Sequence, residues 1–209
     1  MFITFEGLDF SGKTTQAKRL VEELRRRGST VHFIREPGGT RISERIRDIL
    51  LDRTFAEITD TAELFLFSAS RTQLVTEVIL PALKRSEVVI CDRYFDSTTV
   101  YQGYGRGLDL DAVQSVNRLA TNGLNPDLTI LMDIDVDEIE RRKVHAGMAF
   151  DRMEISGRKF YERVLEGYRT IAEAEPDRFV RINGMESVEE VERHVRRSVE
   201  RLMSHTISK

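Results

Sequence analysis

Disulfides, long apolar runs, repeats and a strong excess of charge are all missing from this chain of 209 residues. Its one cysteine is Cys91, so no internal disulfide can form. A chain without such staples suits a reducing compartment, and a cytoplasmic location is the expectation. Cys91 ends the apolar run Val88-Val89-Ile90-Cys91 and reads as a buried strand thiol. No apolar run approaches the ~18 residues that a membrane span needs. The first residues do not read as a signal peptide, because Glu6, Asp9 and Lys13 interrupt them. The net charge is −3. That balance argues against a nucleic-acid polymer as partner, which requires a net basic face. It leaves room for a small anion held by a local group of arginines.

The rest is ordinary globular composition, with 40% apolar and 32% charged residues. The length fits a single domain over residues 1–209. Short apolar runs predict strands at Met1–Phe5, Val31–Ile34, Glu87–Asp92, Leu128–Asp133 and Phe179–Ile182. Between them, apolar residues recur at helical spacing. Ala17, Leu20, Val21 and Leu24 mark a helix over Lys13–Arg27, with Gly28 at the C-terminal cap. Ile42, Ile46, Ile49 and Leu50 place one face on a helix over Ile42–Leu51. A long helical stretch runs from Thr61 to Lys84, bent at Pro81. Further helices are expected at Asp109–Thr121, from Asp137 to Lys143, at Ser156–Ala174 and at Val188–Met203, with Ser204–Lys209 as a frayed tail. Strands alternating with helices imply an α/β fold, a five-stranded, mostly parallel sheet with helices on both faces.

The segment Gly7-Leu8-Asp9-Phe10-Ser11-Gly12-Lys13-Thr14 follows the first strand and opens the first helix. It matches G-x-x-x-x-G-K-[ST], the phosphate loop. Glycines there let backbone N–H groups turn toward phosphate oxygens, and the helix presents its positive end to the anion. Lys13 is expected to reach the outer phosphates of ATP, and the loop together with Thr15 forms the ATP site. Thr14 and Asp92, the latter at the end of the purest buried strand, are the expected holders of Mg²⁺. Such loops serve switches, motors and kinases. No Asn-Lys-x-Asp segment is present for a guanine-reading switch, nor a basic track for a nucleic-acid motor. A small-molecule kinase needs a second anion site and a mobile cover. Arg35, Arg71 and Arg93 lie where strand ends converge and can supply the first. The segment of about residues 141–154, with Arg142, Lys143 and Arg152 around Gly-Met-Ala-Phe, reads as a short basic lid. The histidines show no pairing that suggests catalysis.

Six segments together give the chain a family likeness: Phe5–Gln16, Arg35–Thr40, Glu63–Gln73, Asp92-Arg93-Tyr94 with Tyr101-Gln102-Gly103, Pro126–Thr129, and Asp151–Glu154. Over nearly its whole length it resembles the bacterial thymidylate kinases, P-loop nucleoside monophosphate kinases. The resemblance implies transfer of the γ-phosphoryl group of ATP to dTMP, giving ADP and dTDP. It implies that Asp9 holds the sugar 3′-hydroxyl, that Phe67 stacks on thymine and that Arg71 hydrogen-bonds its edge. Arg93 clamps the acceptor phosphate, aided by Arg35, with Pro37 beside it; Tyr101 crowds the 2′ position and Gln102 lies near the base. A homodimer is implied, and the apolar helix Thr61–Lys84 is the surface to inspect. Some members carry an arginine inside the phosphate loop. Phe10 fills that region here, so the chain resembles the type with its catalytic arginine in the lid. Lys13, Asp9, Arg93, Arg152 and Arg142 are therefore the catalytic candidates, with Arg152 preferred and Arg142 second; Arg141 and Lys143 are also within the lid. Two alternatives stay open at this point. One is a P-loop kinase for another nucleoside monophosphate or a deoxynucleoside, the other a nucleotide-binding module without transfer activity.

Overall fold

A computed structural model describes residues 1–146, 152 and 157–207, without the side chains of residue 146 and residues 205–207. Five strands form one sheet: β1 (Phe2–Glu6), β2 (Val31–Arg35), β3 (Val88–Asp92), β4 (Leu128–Asp133) and β5 (Phe179–Asn183), in the order β2-β3-β1-β4-β5. Every pairing is parallel. Parallel neighbours need crossovers, and these are the helices that cover both faces. The two-residue period of a strand divides the core between the faces. Ile3, Phe5, Ile90 and Ile130 point to one side, where they meet Leu20, Val21 and Leu24 of α1 (Lys13–Arg26) and Val191, Val195 and Val199 of α9 (Val188–Ile207). On the other side Phe2, Val89 and Cys91 meet Leu74, Val75 and Ile79, and Leu131 meets Phe160, Val164 and Tyr168 of α8 (Arg158–Ala174). The fully buried Cys91 is the strand thiol that its apolar neighbours imply.

The remaining helices depart from the periodic reading in instructive ways. α2 (Arg41–Leu51) and α3 (Asp60–Leu74) pack side by side. The contact is made through Leu50 and the buried Ser43, whose hydroxyl donates to the Ser70 carbonyl at 2.8 Å. That rotation leaves Ile42 and Ile49 exposed, so the four apolar residues of this helix do not share one buried face. Phe65, on the outer side of α3, is 56% exposed. The long stretch after residue 60 breaks before Pro81: α3 passes into a π-helical turn, Val75–Ile79, and then α4 (Leu80–Lys84). Proline lacks the N–H for the turn before it and collides with that turn's carbonyl, and a wider turn accommodates both.

No helix was expected between β3 and residue 109, yet α5 (Phe95–Thr98) runs into a π-helical segment, Thr99–Gly105, followed by α6 (Leu110–Ala120). Thr98, Thr99, Val100, Gly103 and Gly105 are weak helix formers. Close packing holds them: a Cβ at Gly105 would lie 2.6 Å from the Phe160 ring. α7 (Val136–Ala146) continues past Lys143, and α9 reaches Ile207, so Ser204 is helical rather than part of a tail.

Ile3 lies on the central strand and is fully buried. Ile3→Ala is expected to lower the unfolding free energy by ~2–5 kcal/mol, through lost transfer energy and a cavity that two helices cannot both collapse into. Urea denaturation of the two proteins measures it, and a loss below about 1 kcal/mol would contradict this account of the core.

Candidate active site

The phosphate loop joins β1 to α1 and is fastened by its glycines. Gly7 has φ of 136°, and a Cβ there would sit 2.7 Å from the Met132 carbonyl oxygen of β4. α2, α3 and α6 each begin under a side-chain cap, from Thr40, Thr59 and Asp109. α1 begins at Gly12 with no side-chain cap among the described residues, which leaves its first N–H groups for an anion. The buried Lys13 donates to the Leu8 carbonyl at 3.3 Å and to Asp9 Oδ1 at 3.1 Å. Leu8 itself is a core side chain, so it serves the loop through its backbone. Phe10 has φ of 64°, a left-handed conformation that non-glycine residues seldom adopt, and its ring packs on the second core. Ser11 is buried beneath the loop, and Thr14 and Thr15 are exposed at the start of α1.

Parallel pairing of β1 with β3 sets Phe5 opposite Asp92 and brings the residues after both strands together. The Thr14 hydroxyl donates to Asp92 Oδ2. Asp92 Oδ1 is buried and has no partner among the described residues. A hydroxyl beside a carboxylate with an unused oxygen suits a hard cation such as Mg²⁺, which takes few protein ligands and completes its shell with water and phosphate.

Beyond Asp92 a cavity of about 240 Å³ opens, lined by Asp9, Lys13, Arg35, Pro37, Phe67, Arg71, Arg93, Tyr101 and Gln102 among others. The structure thus gathers in one place the acceptor-site residues expected from the sequence. Arg93, with φ of 72°, is its centre. Its Nη2 donates to Asp9 Oδ1 at 2.7 Å and to the Tyr101 hydroxyl at 3.2 Å. Its Nη1 donates to Ser97 Oγ at 3.0 Å and to the Tyr168 hydroxyl at 3.3 Å. Burial alone would raise the Asp9 carboxyl, but Arg93 and Lys13 together hold it well below the ordinary carboxylate range. Behind them lies Glu6, fully buried at the end of β1 and pushed up to about 7, chiefly by burial and then by Asp96.

Arg71 is 1% exposed and fully engaged. It pairs with Glu36 at 2.6 Å and donates to Thr98, Asn117 and the Tyr94 carbonyl. It stands in the cavity wall as a structural ion pair, with less freedom than a solvated arginine that waits for a base. Arg35 is half-exposed at the rim, tied to Glu44 and the Pro37 carbonyl. Gln102 is buried and donates to Glu63 at 2.9 Å.

Half of the lid lies outside the described residues, namely Gly147–Asp151, Met153 and Glu154. The described parts set Arg142 and Arg152 in different surroundings. Arg152 sits on the acceptor side, where it donates to the Leu50 carbonyl at 2.9 Å and pairs with Glu63 at 2.5 Å. Arg142 is the one that reaches the phosphate loop, donating to the Phe10 carbonyl at 3.2 Å and to the Gly184 carbonyl at 3.0 Å while Glu138 braces its Nε at 2.8 Å. Arg141 points away and is paired with Glu138. Lys143 is buried against the Tyr161 ring at 4.3 Å. His32 and His194 are bound to Glu87 and Glu186, away from the cavity.

Ser97 and Arg47 line the cavity and had no mark in the sequence; Arg47 Nη1 donates to the Pro37 carbonyl at 2.9 Å. Glu6 and Tyr168 lie behind Arg93, outside that lining. Arg47 was one of many basic residues on a helix, and only the rotation of α2 turns it inward.

Comparison with known proteins identifies the family. The thymidylate kinase family profile matches residues 5–195. The chain is 47% identical over 203 residues to thymidylate kinase of Chlorobaculum parvum, covering 93% of each chain. It is 43% identical to that of an Exiguobacterium species over 100% of this chain and 99% of the relative. Among solved structures, thymidylate kinase from Ehrlichia chaffeensis superposes with a TM-score of 0.78 at 34% identity, covering 96% of this chain and 98% of that one. With nearly the full length matched in sequence and in fold, the chain belongs to the thymidylate kinase family.

Proposed function

We propose that the phosphate loop and the adjoining cavity are the ATP and dTMP sites of a thymidylate kinase. The chain transfers the γ-phosphoryl group of ATP to dTMP and releases ADP and dTDP. It is a phosphotransferase of nucleotide biosynthesis, and its relatives give no support to the alternatives of another acceptor or of binding without transfer. One observation carries the assignment of sites. A single oxygen of Asp9 touches both Lys13 Nζ, at 3.1 Å, and Arg93 Nη2, at 2.7 Å. The cation of the donor phosphates and the cation of the acceptor cavity therefore meet across one small anion, which is the separation that phosphoryl transfer requires.

Each side chain has a part in the reaction. Lys13 and the first N–H groups of α1 hold the β- and γ-phosphates of ATP. Arg93 holds the acceptor phosphate, with Arg35 and Arg47 at the rim. When the phosphates arrive they take over the two cations. Asp9 is then released to accept from the 3′-hydroxyl. Phe67 offers its face to thymine, Arg71 and Gln102 face its edge, and Tyr101 crowds the 2′ position. A phosphate oxygen of dTMP attacks the γ-phosphorus in line while the bond to the β-phosphate oxygen breaks. The attacking oxygen is already an anion, so no side chain removes a proton. Thr14 and Asp92 hold Mg²⁺ in this reading, and the ion, when bound, offsets charge on the phosphate oxygens. The location is cytoplasmic.

Lys13→Ala is expected to lower kcat by ~10²–10³, since the outer phosphates lose their loop cation. Arg93→Ala is expected to weaken dTMP binding while ATP affinity changes little. Coupled ADP release and calorimetry on the two variants test both statements. Loss of ATP binding in Arg93→Ala with dTMP binding kept would reverse the two sites.

Arg142 takes the place of the lid cation, because its guanidinium already reaches the loop carbonyl of Phe10. Arg142→Ala is expected to lower kcat by ten-fold or more at saturating substrates, and by up to the ~10³–10⁵ that such arginines supply. Arg152→Ala should act mainly on KM for dTMP, through Glu63 and the end of α2. The opposite split, with kcat lost in Arg152→Ala alone, restores the reading made from sequence.

The homodimer forms through α2 and α3 in this proposal. Ile42 and Ile49 on α2 and Phe65 on the adjoining α3 are exposed, Phe65 to 56%, and a second copy would cover these apolar side chains. Phe65→Glu should shift the protein from dimer to monomer in analytical ultracentrifugation, and a wild-type monomer at micromolar concentration would end this reading.

A further inference from the structure

Among the described residues, no carboxylate pairs with Nη1 of Arg93. What it meets there are two hydroxyls, Ser97 Oγ at 3.0 Å and Tyr168 at 3.3 Å. A hydroxyl has one proton and two lone pairs, so it can face a guanidinium N–H only if its proton points elsewhere. Both hydroxyls share one acceptor, and they also touch each other at 2.9 Å. Ser97 Oγ lies 2.5 Å from Glu6 Oε2, and the Tyr168 hydroxyl lies 2.7 Å from the same oxygen. The other oxygen, Oε1, accepts from the backbone N–H of Tyr94 at 2.7 Å. Glu6 is fully buried and the mechanism above makes no use of it.

We propose that Glu6 is a positioning residue for acceptor binding. Its carboxylate draws the protons of Ser97 and Tyr168 toward itself, and both hydroxyls thereby turn lone pairs onto Nη1 of Arg93. The inference rests on the reading of Arg93 as the clamp on the acceptor phosphate. It adds how that clamp is held when Asp9, its charged partner, gives way to the phosphate. With Nη1 fixed by two acceptors, Nη2 is the edge that exchanges Asp9 for the ligand. The side of Arg93 that faces the protein stays in place while the other side changes partner.

The arrangement makes the clamp dependent on pH. Glu6 faces Arg93 and Asp96 from the segment after β3, Tyr168 from α8 and Tyr101 from the π-helical segment, and it also feels Cys91 of β3 and Arg71 of α3. Burial pushes its carboxyl up to about 7, with Asp96 adding and Arg93 and the two hydroxyls opposing. The sign follows from the protons. Above about 7 the group is a carboxylate and accepts from both hydroxyls. Below it the group carries its own proton, one hydroxyl loses its acceptor, and that hydroxyl's proton turns to its neighbour, 2.9 Å away, or to Arg93, which weakens the hold on Nη1 in either case. Efficiency with dTMP falls as pH falls.

The test uses the full chain and compares Glu6→Gln, Tyr168→Phe and Arg93→Ala with wild type over pH 5.5–9. Glutamine keeps the shape but puts an N–H₂ or an oxygen where both hydroxyls need a carboxylate. Glu6→Gln should lose ~10-fold or more in kcat/KM for dTMP, with KM for ATP within about two-fold. Its profile should lack the acid step near 7, while any step from the second ionisation of dTMP, about 6, stays in every variant. Tyr168→Phe removes one acceptor and should lose ~5-fold with the same split between substrates. Unchanged efficiency with dTMP in Glu6→Gln overturns the proposal, as does an equal loss for ATP and dTMP, which marks a packing defect. If Glu6→Gln does not fold, Tyr168→Phe decides by the same criterion. If Arg93→Ala keeps its dTMP affinity, the acceptor-site reading fails. If Arg93→Ala loses that affinity and Glu6→Gln does not, only the positioning role fails.

Discussion

Parallel pairing of β1 with β3 sets Phe5 opposite Asp92, and most of the site follows from that register. Both strands end at the same edge. The residues that leave them, Glu6 to Lys13 on one side and Asp92 to Tyr94 on the other, are then neighbours without any further device. The Arg93 N–H bonds the Phe5 carbonyl at 2.9 Å, and the Tyr94 N–H bonds Glu6. A slip of one residue would turn every strand side chain to the opposite face, exchanging two cores that have different helices over them. The packing of both faces thus protects the geometry of the edge.

Charge is handled differently at different depths of that edge. Arg71 and Glu36 form a pair that is almost wholly buried, and removing either partner would leave an uncompensated charge. The Arg71 fork is fully used, so it behaves as framework. Arg93 is held by hydroxyls on one side and by the more exposed Asp9 on the other. Only the second of these is easily exchanged, because an ordinary anion can replace a carboxylate at a solvent-facing position. Lys13 has the same exchangeable partner. Positive charge is therefore stored next to a removable anion, and the loop does not confront bare repulsion between two cations.

Both irregular helical turns lie beside this machinery. The π-helical segment Thr99–Gly105 carries Tyr101 and Gln102 into the cavity, and the turn at Val75–Ile79 follows directly from the helix that bears Phe67 and Arg71. A widened turn shifts the direction of the residues on either side, and such turns recur at functional sites. Here the first packs its glycines against Phe160 and Leu110, so its shape is imposed by neighbours.

Much of this protein was legible in its sequence. Strand positions came from short apolar runs, because a buried parallel strand has no exposed face to interrupt them. The phosphate loop was legible because each glycine answers a local backbone demand. Asp92 and Arg93 were legible because they follow at once from a strand. What stayed hidden depended on contacts between distant segments. The helical state of Phe95–Gly105 is set by packing that overrides weak propensities. The rotation of α2 exposes Ile42 and Ile49 and turns Arg47 inward, and spacing along one helix cannot report its angle to a neighbour. That Arg142 rather than Arg152 reaches the phosphate loop depends on how α7 lies against it. Sequence therefore determined the elements, the phosphate loop and the kind of chemistry, since these rest on interactions within a few residues. Tertiary structure alone decided which arginine reaches the phosphate loop and which hydroxyls stand between Glu6 and Arg93, because those groups are brought together only by the order of strands in the sheet.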